Sequence, residues 1–157
     1  MIRAALAVAS AAAIGLGAHI AAAQQDPIAA RKALMKGNAD QAKIGADMTK
    51  GEAPFDLAKV KKIFATFEDT AAKAPALFPE HSIDQPTADD PYTASPKIWE
   101  NMDDFKARLA KFGSDAKAAS ASVKDLESFK KAFSVTSARM IAAAATKNTV
   151  SSRADTF

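Results

Sequence analysis

The sequence predicts an all-α fold, an antiparallel four-helix bundle that runs up-down-up-down. Four segments carry apolar residues at helical spacing, and no run alternates between apolar and polar residues as a strand does. The connections between the first two and the last two helices are short, so these neighbours must run antiparallel. A long Pro-rich loop joins helices 2 and 3. The alternative is an irregular helical domain in which the C-terminal tail forms a fifth helix.

Residues 1–23 have the features of a secretory signal peptide. Arg3 supplies the positive charge, Ala4–Ile20 is apolar, and three alanines precede Gln24 as a cleavage site. An N-terminal membrane anchor is the alternative, because the apolar run approaches the ~20 residues that span a bilayer. The 157 residues include no cysteine, so an exported chain forms no disulfides. We therefore expect a periplasmic protein that makes no membrane contact once the signal peptide is cleaved.

Capping residues bound the first two helices. Asp26 and Pro27 predict the first start, because Asp accepts hydrogen bonds from free N–H groups and Pro fits the first turn. Gly51 ends this helix, and the next one runs from an Asp56 cap to Pro75. The apolar positions of the first helix are Ile28, Leu34, Met35, Ala39, Ala42 and Ala46. Those of the second are Val60, Ile63, Phe64, Phe67 and Ala71.

Residues 75–95 contain four prolines and predict an irregular loop, which Leu77 and Phe78 attach to the core. A loop of this length in a small domain usually has a function or wraps the body. Ser95 and Pro96 then repeat the pattern of a cap followed by proline, which predicts the start of the third helix.

The third helix is predicted to end near Ala119, and Ser122 is predicted to cap the fourth, with Asp125 as the acidic partner of a short capping box. The apolar positions of the third helix are Ile98, Trp99, Met102, Phe105, Leu109 and Phe112. After Ser137 the fourth helix loses its pattern and continues as an Ala-, Ser- and Thr-rich tail.

Charge and chemistry exclude several classes of function. The net charge is +3, but basic and acidic residues balance between residues 24 and 137, and no basic stripe with aromatics indicates nucleic acid binding. His19 lies in the signal peptide. His81 lies in the Pro-rich loop without a second imidazole, so a structural or solvated role is favoured over a ligand role. No base is available for a nucleophilic triad, and we expect no enzyme activity.

Met35 and Trp99 have two interpretations each. A Met on an apolar helix face usually fills the core, but its thioether can also ligate a haem iron. Trp99 is, by itself, a core aromatic near a helix start. Helical spacing does not separate these alternatives.

Several segments together resemble one family, the class II c-type cytochromes, which comprise the cytochrome c-prime group and its low-spin relatives. The matching segments, in order, are Arg31-Lys32-Ala33-Leu34-Met35, Leu77-Phe78-Pro79 with Ser82, Pro96-Lys97-Ile98-Trp99 with Phe105, and Phe129-Lys130-Lys131-Ala132-Phe133. The resemblance implies a periplasmic electron-transfer protein with haem c, a redox partner protein and a homodimer. It places Arg31, Met35, Phe78 and Trp99 in the haem pocket, with Met35 as an axial iron ligand of the low-spin type.

The family would carry a Cys-x-x-Cys-His motif on the fourth helix beyond Phe133, and this sequence has neither residue there. A shifted reading frame, in which each codon consists of the third base of one codon and the first two bases of the next, can encode Cys-Gly-Gly-Cys-His beyond Ser137. Each Cys needs a following codon that starts with GC or GT, which Ala142 and Ala145 supply. The His needs one that starts with AC or AT, which Thr146 supplies. We therefore hypothesise a frameshift near Ser137, by mutation or by sequencing error.

The predicted organisation is a signal peptide (1–23), a cytochrome c-prime-like bundle (24–137) and an atypical tail (138–157). As written, the chain lacks the cysteines that covalent haem attachment requires. The alternative is a haem-free bundle that binds a small apolar ligand or a partner protein. A bundle without its macrocycle is expected to contain a cavity and to be loosened by the lost contacts.

Overall fold

The computed structural model describes residues 26–83 and 92–144, and within these ranges it is helical without strands. The predicted signal peptide, the middle of the Pro-rich loop and the end of the tail lie outside the described residues. The helices are α1 (Pro27–Lys50), α2 (Leu57–Lys73), α3 (Lys97–Glu100), α4 (Met102–Ser122) and α5 (Leu126–Ala144). Two 3₁₀ turns, Ala74–Leu77 and Glu80–Ser82, follow α2.

The four long helices form a closed ring of contacts in the order α1, α2, α4, α5 and back to α1, with the most extensive packing between α2 and α4. This is the predicted four-helix bundle. Chain direction alternates around the ring, so the N-terminal halves of α1 and α4 lie at the same end as the C-terminal halves of α2 and α5.

The predicted ends of the first helix and the start of the second are confirmed. The Asp26 side chain accepts a hydrogen bond from the Ile28 N–H at 3.0 Å, and Pro27 is the first helical residue. Gly51 ends α1 with a φ of 80°, a left-handed conformation that glycine adopts without strain. Asp56 accepts hydrogen bonds from the first turn of α2.

The predicted third helix is two helices. The chain breaks at Asn101, which has a φ of −133° and a ψ of 49°, and only α4 continues as a bundle helix. The break turns the single turn of α3 back toward the 3₁₀ segment, where the Trp99 Nε1–H donates to the Pro79 carbonyl at 3.0 Å. The apolar period continues across Asn101, so it could not reveal the break.

The predicted cap of the fourth helix is wrong by one turn. Ser122 is the last residue of α4, and Asp125 caps α5 by accepting from the Ser128 N–H at 2.8 Å. The Ser128 hydroxyl in turn accepts from the Asp125 N–H at 3.1 Å, which completes a reciprocal box. The Ser128 side chain also holds the pKa of Asp125 below its usual value. Ser128 takes the place of the Glu or Gln that a capping box usually has at this position.

The Pro-rich segment is more regular than predicted. Helix α2 ends at Lys73, just before Pro75 as predicted, and Pro75 lies inside the first 3₁₀ turn. Proline is compatible with the first positions of such a turn, since those N–H groups have no helical partner. Phe78 is buried, which confirms the predicted attachment of this segment to the core, whereas Leu77 is partly buried.

One end of the bundle is a packed aromatic core. Phe67 and Phe112 have ring centroids 5.4 Å apart, and Phe129 and Phe133 are 5.2 Å apart, within the range of favourable aromatic pairs. Met48 and Ala116 fill the remaining space. The other end has a smaller cluster around Phe78, where the Phe78 and Phe105 rings are 4.7 Å apart.

The predicted apolar positions of α1 lie on its inner side but are only partly buried: Ala42 and Ala46 pack against the aromatic core, and Leu34 packs against the Phe78 cluster. The fully buried residues of α1 are Arg31, Asn38, Gly45 and Met48. Two of these four are polar and one has no side chain, so a search for apolar residues misses them. Gly45 is there because the Phe133 ring occupies the adjoining space: a Cβ added at Gly45 would collide with Phe133 Cε2. No helix among the described residues is long and apolar enough to cross a membrane.

We expect Gly45→Ala to destabilise the bundle and Gly37→Ala to stabilise it. A methyl group at Gly45 displaces the Phe133 ring, and such overpacking costs ~1–3 kcal/mol. A methyl group at Gly37 meets nothing within 4 Å, so this variant gains about 1 kcal/mol from helix propensity. Urea unfolding of both variants measures the difference. Equal stability of the two would contradict the close approach of α1 and α5.

Candidate functional site

A cavity of about 240 Å³ lies beside the aromatic core, toward the end of the bundle that holds Phe78, and reaches Phe112. All four long helices contribute to its wall, together with residues 92–95 and α3. Most of the wall is apolar. The lining residues are Arg31, Met35, Asn38, Ala39, Thr70, Ala74, Phe78, Tyr92, Thr93, Ala94, Ser95, Ile98, Phe105, Leu109, Phe112, Met140, Ile141 and Ala143.

Arg31 places a buried positive charge in this wall. It is 1% exposed, and its Nη1 donates to the Ser82 hydroxyl at 3.1 Å and to the Leu77 carbonyl at 3.4 Å. The guanidinium carbon lies 5.2 Å from the Phe78 ring centroid and 5.3 Å from that of Trp99. Aromatic faces stabilise a desolvated cation. Arg31 therefore joins α1 to the 3₁₀ segment and to α3.

The carbonyl of Pro79 connects the same group of residues. It accepts from the Ser82 hydroxyl at 2.7 Å and from Trp99 Nε1 at 3.0 Å. The Trp99 ring packs on Phe78 with centroids 5.6 Å apart. The structure thus brings Arg31, Phe78 and Trp99 together, but Trp99 supports the cavity wall from behind and does not line it.

Two methionines line the cavity from neighbouring helices of the ring, Met35 on α1 and Met140 on α5. The Asn38 side-chain amide N–H donates to the thioether of Met140. Asn38 is also buried at 2% exposure, and its Oδ1 has no hydrogen-bond partner in the described part of the chain.

The residues present do not fit haem c. Its attachment requires thiols, and the sequence contains no cysteine. Its iron requires a histidine beside the second thiol, but α5 contains none through Ala144, and His81 is exposed on the second 3₁₀ turn, outside the cavity wall. Among the described lining residues, the thioethers of Met35 and Met140 and the phenol of Tyr92 are the side chains of a kind that can ligate a haem iron. Among the described residues, no three His, Cys, Asp or Glu side chains lie close enough together to hold a metal ion.

Comparison with known proteins places this bundle in a family. The sequence model described as Cytochrome C' matches residues 26–139. The chain belongs to the cytochrome c' family. It is 44% identical over 115 residues to a cytochrome c' of Rhodopseudomonas palustris, covering 73% of this chain and 76% of the relative. It is 34% identical over 120 residues to cytochrome c-556 of the same species, covering 76% and 80%.

The fold comparison agrees. The solved structure of cytochrome c' from Rhodopseudomonas palustris matches with a TM-score of 0.69 and 38% identity, over 76% of this chain and 92% of that chain. The predicted resemblance and fold class are therefore confirmed. The missing cysteines mean that this member of the family cannot form the thioether bonds of haem c.

Sequence inspection missed several residues of the site. Asn38, Thr70 and Met140 line the cavity, and Ser82 anchors Arg31, but only Ser82 was noticed and only through the resemblance. A buried polar residue interrupts the apolar period of its helix, so periodicity counts it as solvent-facing. The seven-residue spacing of Arg31, Asn38 and Gly45 was the available signal, because every second turn returns to the same face.

We expect Ser82→Ala to cost about 2 kcal/mol of stability, because it removes a hydrogen-bond acceptor from a buried cation. Ser134→Ala is the matched control: Ser134 is exposed on α5, and its replacement should stay within ~0.5 kcal/mol. Chemical unfolding followed by fluorescence measures both, since Trp99 is the only tryptophan. Indistinguishable midpoints would show that the Arg31–Ser82 contact contributes no stability.

Proposed function

We propose that this chain derives from a periplasmic electron-transfer protein with haem c, and that its sequence beyond the neighbourhood of Ser137 is read out of frame. On this proposal the polypeptide as written is a haem-free bundle. Helices α1, α2 and α4 keep the family sequence around the haem site, and the end of α5 does not. The resemblance to electron-carrying cytochromes supports the first part, and the absence of cysteine supports the second.

The proposal rests on the position of the end of α5 beside the cavity. Met140, Ile141 and Ala143 line the cavity, and the shifted codons for Cys-x-x-Cys-His begin between Ile141 and Ala142. In the shifted frame the first thiol would fall on the stretch of α5 that borders the cavity, and the codons for the second thiol and the imidazole would follow directly along the chain. Ala-rich sequence permits Cys codons in this frame because every Ala codon begins with GC, so the bases of the gene decide between a frameshift and an ordinary helix end.

The extent of the family match gives further support. It ends at residue 139, just beyond Ser137, although α5 continues to Ala144. The described structure thus contains helix where the family likeness has ended. A change of frame produces this combination, because Ala-rich sequence remains helical whatever its origin.

The remaining roles follow from the family. Cleavage after residue 23 would deliver the chain to the periplasm, where a redox partner protein would exchange electrons with the haem protein of the restored frame. Arg31, Met35, Phe78 and Trp99 would form its haem pocket, with Met35 as an axial ligand, and a homodimer is compatible with this role. The function proposed is electron carriage rather than catalysis of a substrate reaction.

The gene sequence tests the frame directly. We expect the third base to be T in the codons of Ile141 and Ala144 and C in the codon of Ala145, because these bases create two Cys codons and one His codon. Sequencing the gene from genomic DNA measures all three. Any other base at one of these positions removes the motif and refutes the frameshift.

The opposite shift serves as an internal control. It joins the last two bases of the Met140 codon, TG, to the A that begins every Ile codon. The result is the stop codon TGA, so this frame cannot encode a longer α5. Of the two alternative frames, only the one that permits the motif can be open through this region.

A second function is supported by the cavity itself. About 240 Å³ with a mostly apolar wall is enough space for a small organic molecule. If the chain functions as written, binding of a small apolar ligand is the activity that this geometry favours.

A further inference from the structure

Two buried polar atoms of the cavity wall stand out from the other polar groups of the bundle. Thr70 on α2 is 1% exposed and Asn38 on α1 is 2% exposed, and both line the cavity. Thr70 Oγ1 and Asn38 Oδ1 have no hydrogen-bond partner in the described part of the protein. Buried polar groups are almost always hydrogen-bonded, so each exception requires an explanation.

Other threonines of the bundle do satisfy their hydroxyl groups. Thr66 donates to the Lys62 carbonyl at 3.0 Å, and Thr136, which is as buried as Thr70, donates to the Ala132 carbonyl at 3.0 Å. These bonds to the preceding turn are the ordinary way for a helical threonine to satisfy its hydroxyl. Thr70 makes no such bond, although its helix offers the same carbonyl.

The volume limits the size of a molecule that could satisfy these atoms. An apolar cavity of ~150 Å³ holds one benzene ring, and drug-sized ligands need ~300 Å³ or more. At about 240 Å³ this cavity fits one or two fused rings. Phe78, Phe105 and Phe112 provide aromatic surfaces for such rings.

We infer that the cavity binds an uncharged aromatic molecule of one or two rings. Its single N–H or O–H group donates to Asn38 Oδ1 and also hydrogen-bonds to the Thr70 hydroxyl. This inference rests on the second function proposed above and names its ligand class. Asn38 offers an acceptor, and the Thr70 hydroxyl can donate or accept. The flexible thioether of Met140, which accepts a hydrogen bond from the Asn38 amide, can adapt to the shape of the ring.

A pair of matched probes tests the inference. Indole and indene have nearly the same shape, but only indole carries an N–H donor. We expect isothermal titration calorimetry on the purified full chain to give about tenfold tighter binding of indole than of indene, the ratio expected for one buried hydrogen bond. The comparison needs no variant, so it stands even if a substitution prevents folding.

Two near-isosteric substitutions locate the effect. Thr70→Val and Asn38→Leu should each reduce the indole-to-indene ratio toward one. Thr136→Val is the matched control, because Thr136 is equally buried but its hydroxyl is bonded within α5 and lies outside the cavity wall. It should leave the ratio unchanged. Circular dichroism confirms that each variant is folded.

The possible outcomes separate the inference from the function on which it rests. Equal binding of indole and indene overturns the role of Asn38 and Thr70, with water satisfying both, and leaves apolar ligand binding intact. Binding of neither probe overturns the ligand class and the second proposed function together. A ratio that survives both substitutions also overturns the inference, because another group then recognises the N–H.

Discussion

The buried guanidinium of Arg31 is the contact on which the cavity end of the bundle depends. It lies between α1 and the 3₁₀ segment, and the two aromatic rings of Phe78 and Trp99 surround it. A charge at 1% exposure is tolerated only when hydrogen bonds and polarisable neighbours replace water. By fixing the Pro-rich segment over the ends of the helices, this contact keeps the wall in place where the interior itself offers little packing.

The two ends of the bundle differ in how they are stabilised. Phenylalanine rings fill one end, whereas about 240 Å³ at the other is bordered by side chains without partners across the gap. Space left in a bundle interior removes packing contacts and so lowers stability. The family fold is preserved here without the group around which its cavity end is arranged.

The sequence predicted the bundle well because three of the four long helices bury apolar residues at regular spacing, as Phe64, Phe67 and Phe112 illustrate. It failed where burial does not follow hydrophobicity. The buried face of α1 includes Arg31, Asn38 and Gly45, the break at Asn101 lies inside an unbroken apolar period, and Ser128 completes a cap in place of Glu. The pocket residues named by resemblance lie at or behind one cavity wall, but Asn38 and Thr70 depend on tertiary contacts that no local pattern contains.

The haem content of the expressed protein tests the central claim, that this chain keeps the cavity of its family but has lost the means of attaching haem. This chain and a version carrying the restored frame would both be produced in a host with haem-attachment machinery. We expect a pyridine haemochrome spectrum to show the haem c band for the restored version and no such band for this chain. A haem c band from this chain would contradict the claim.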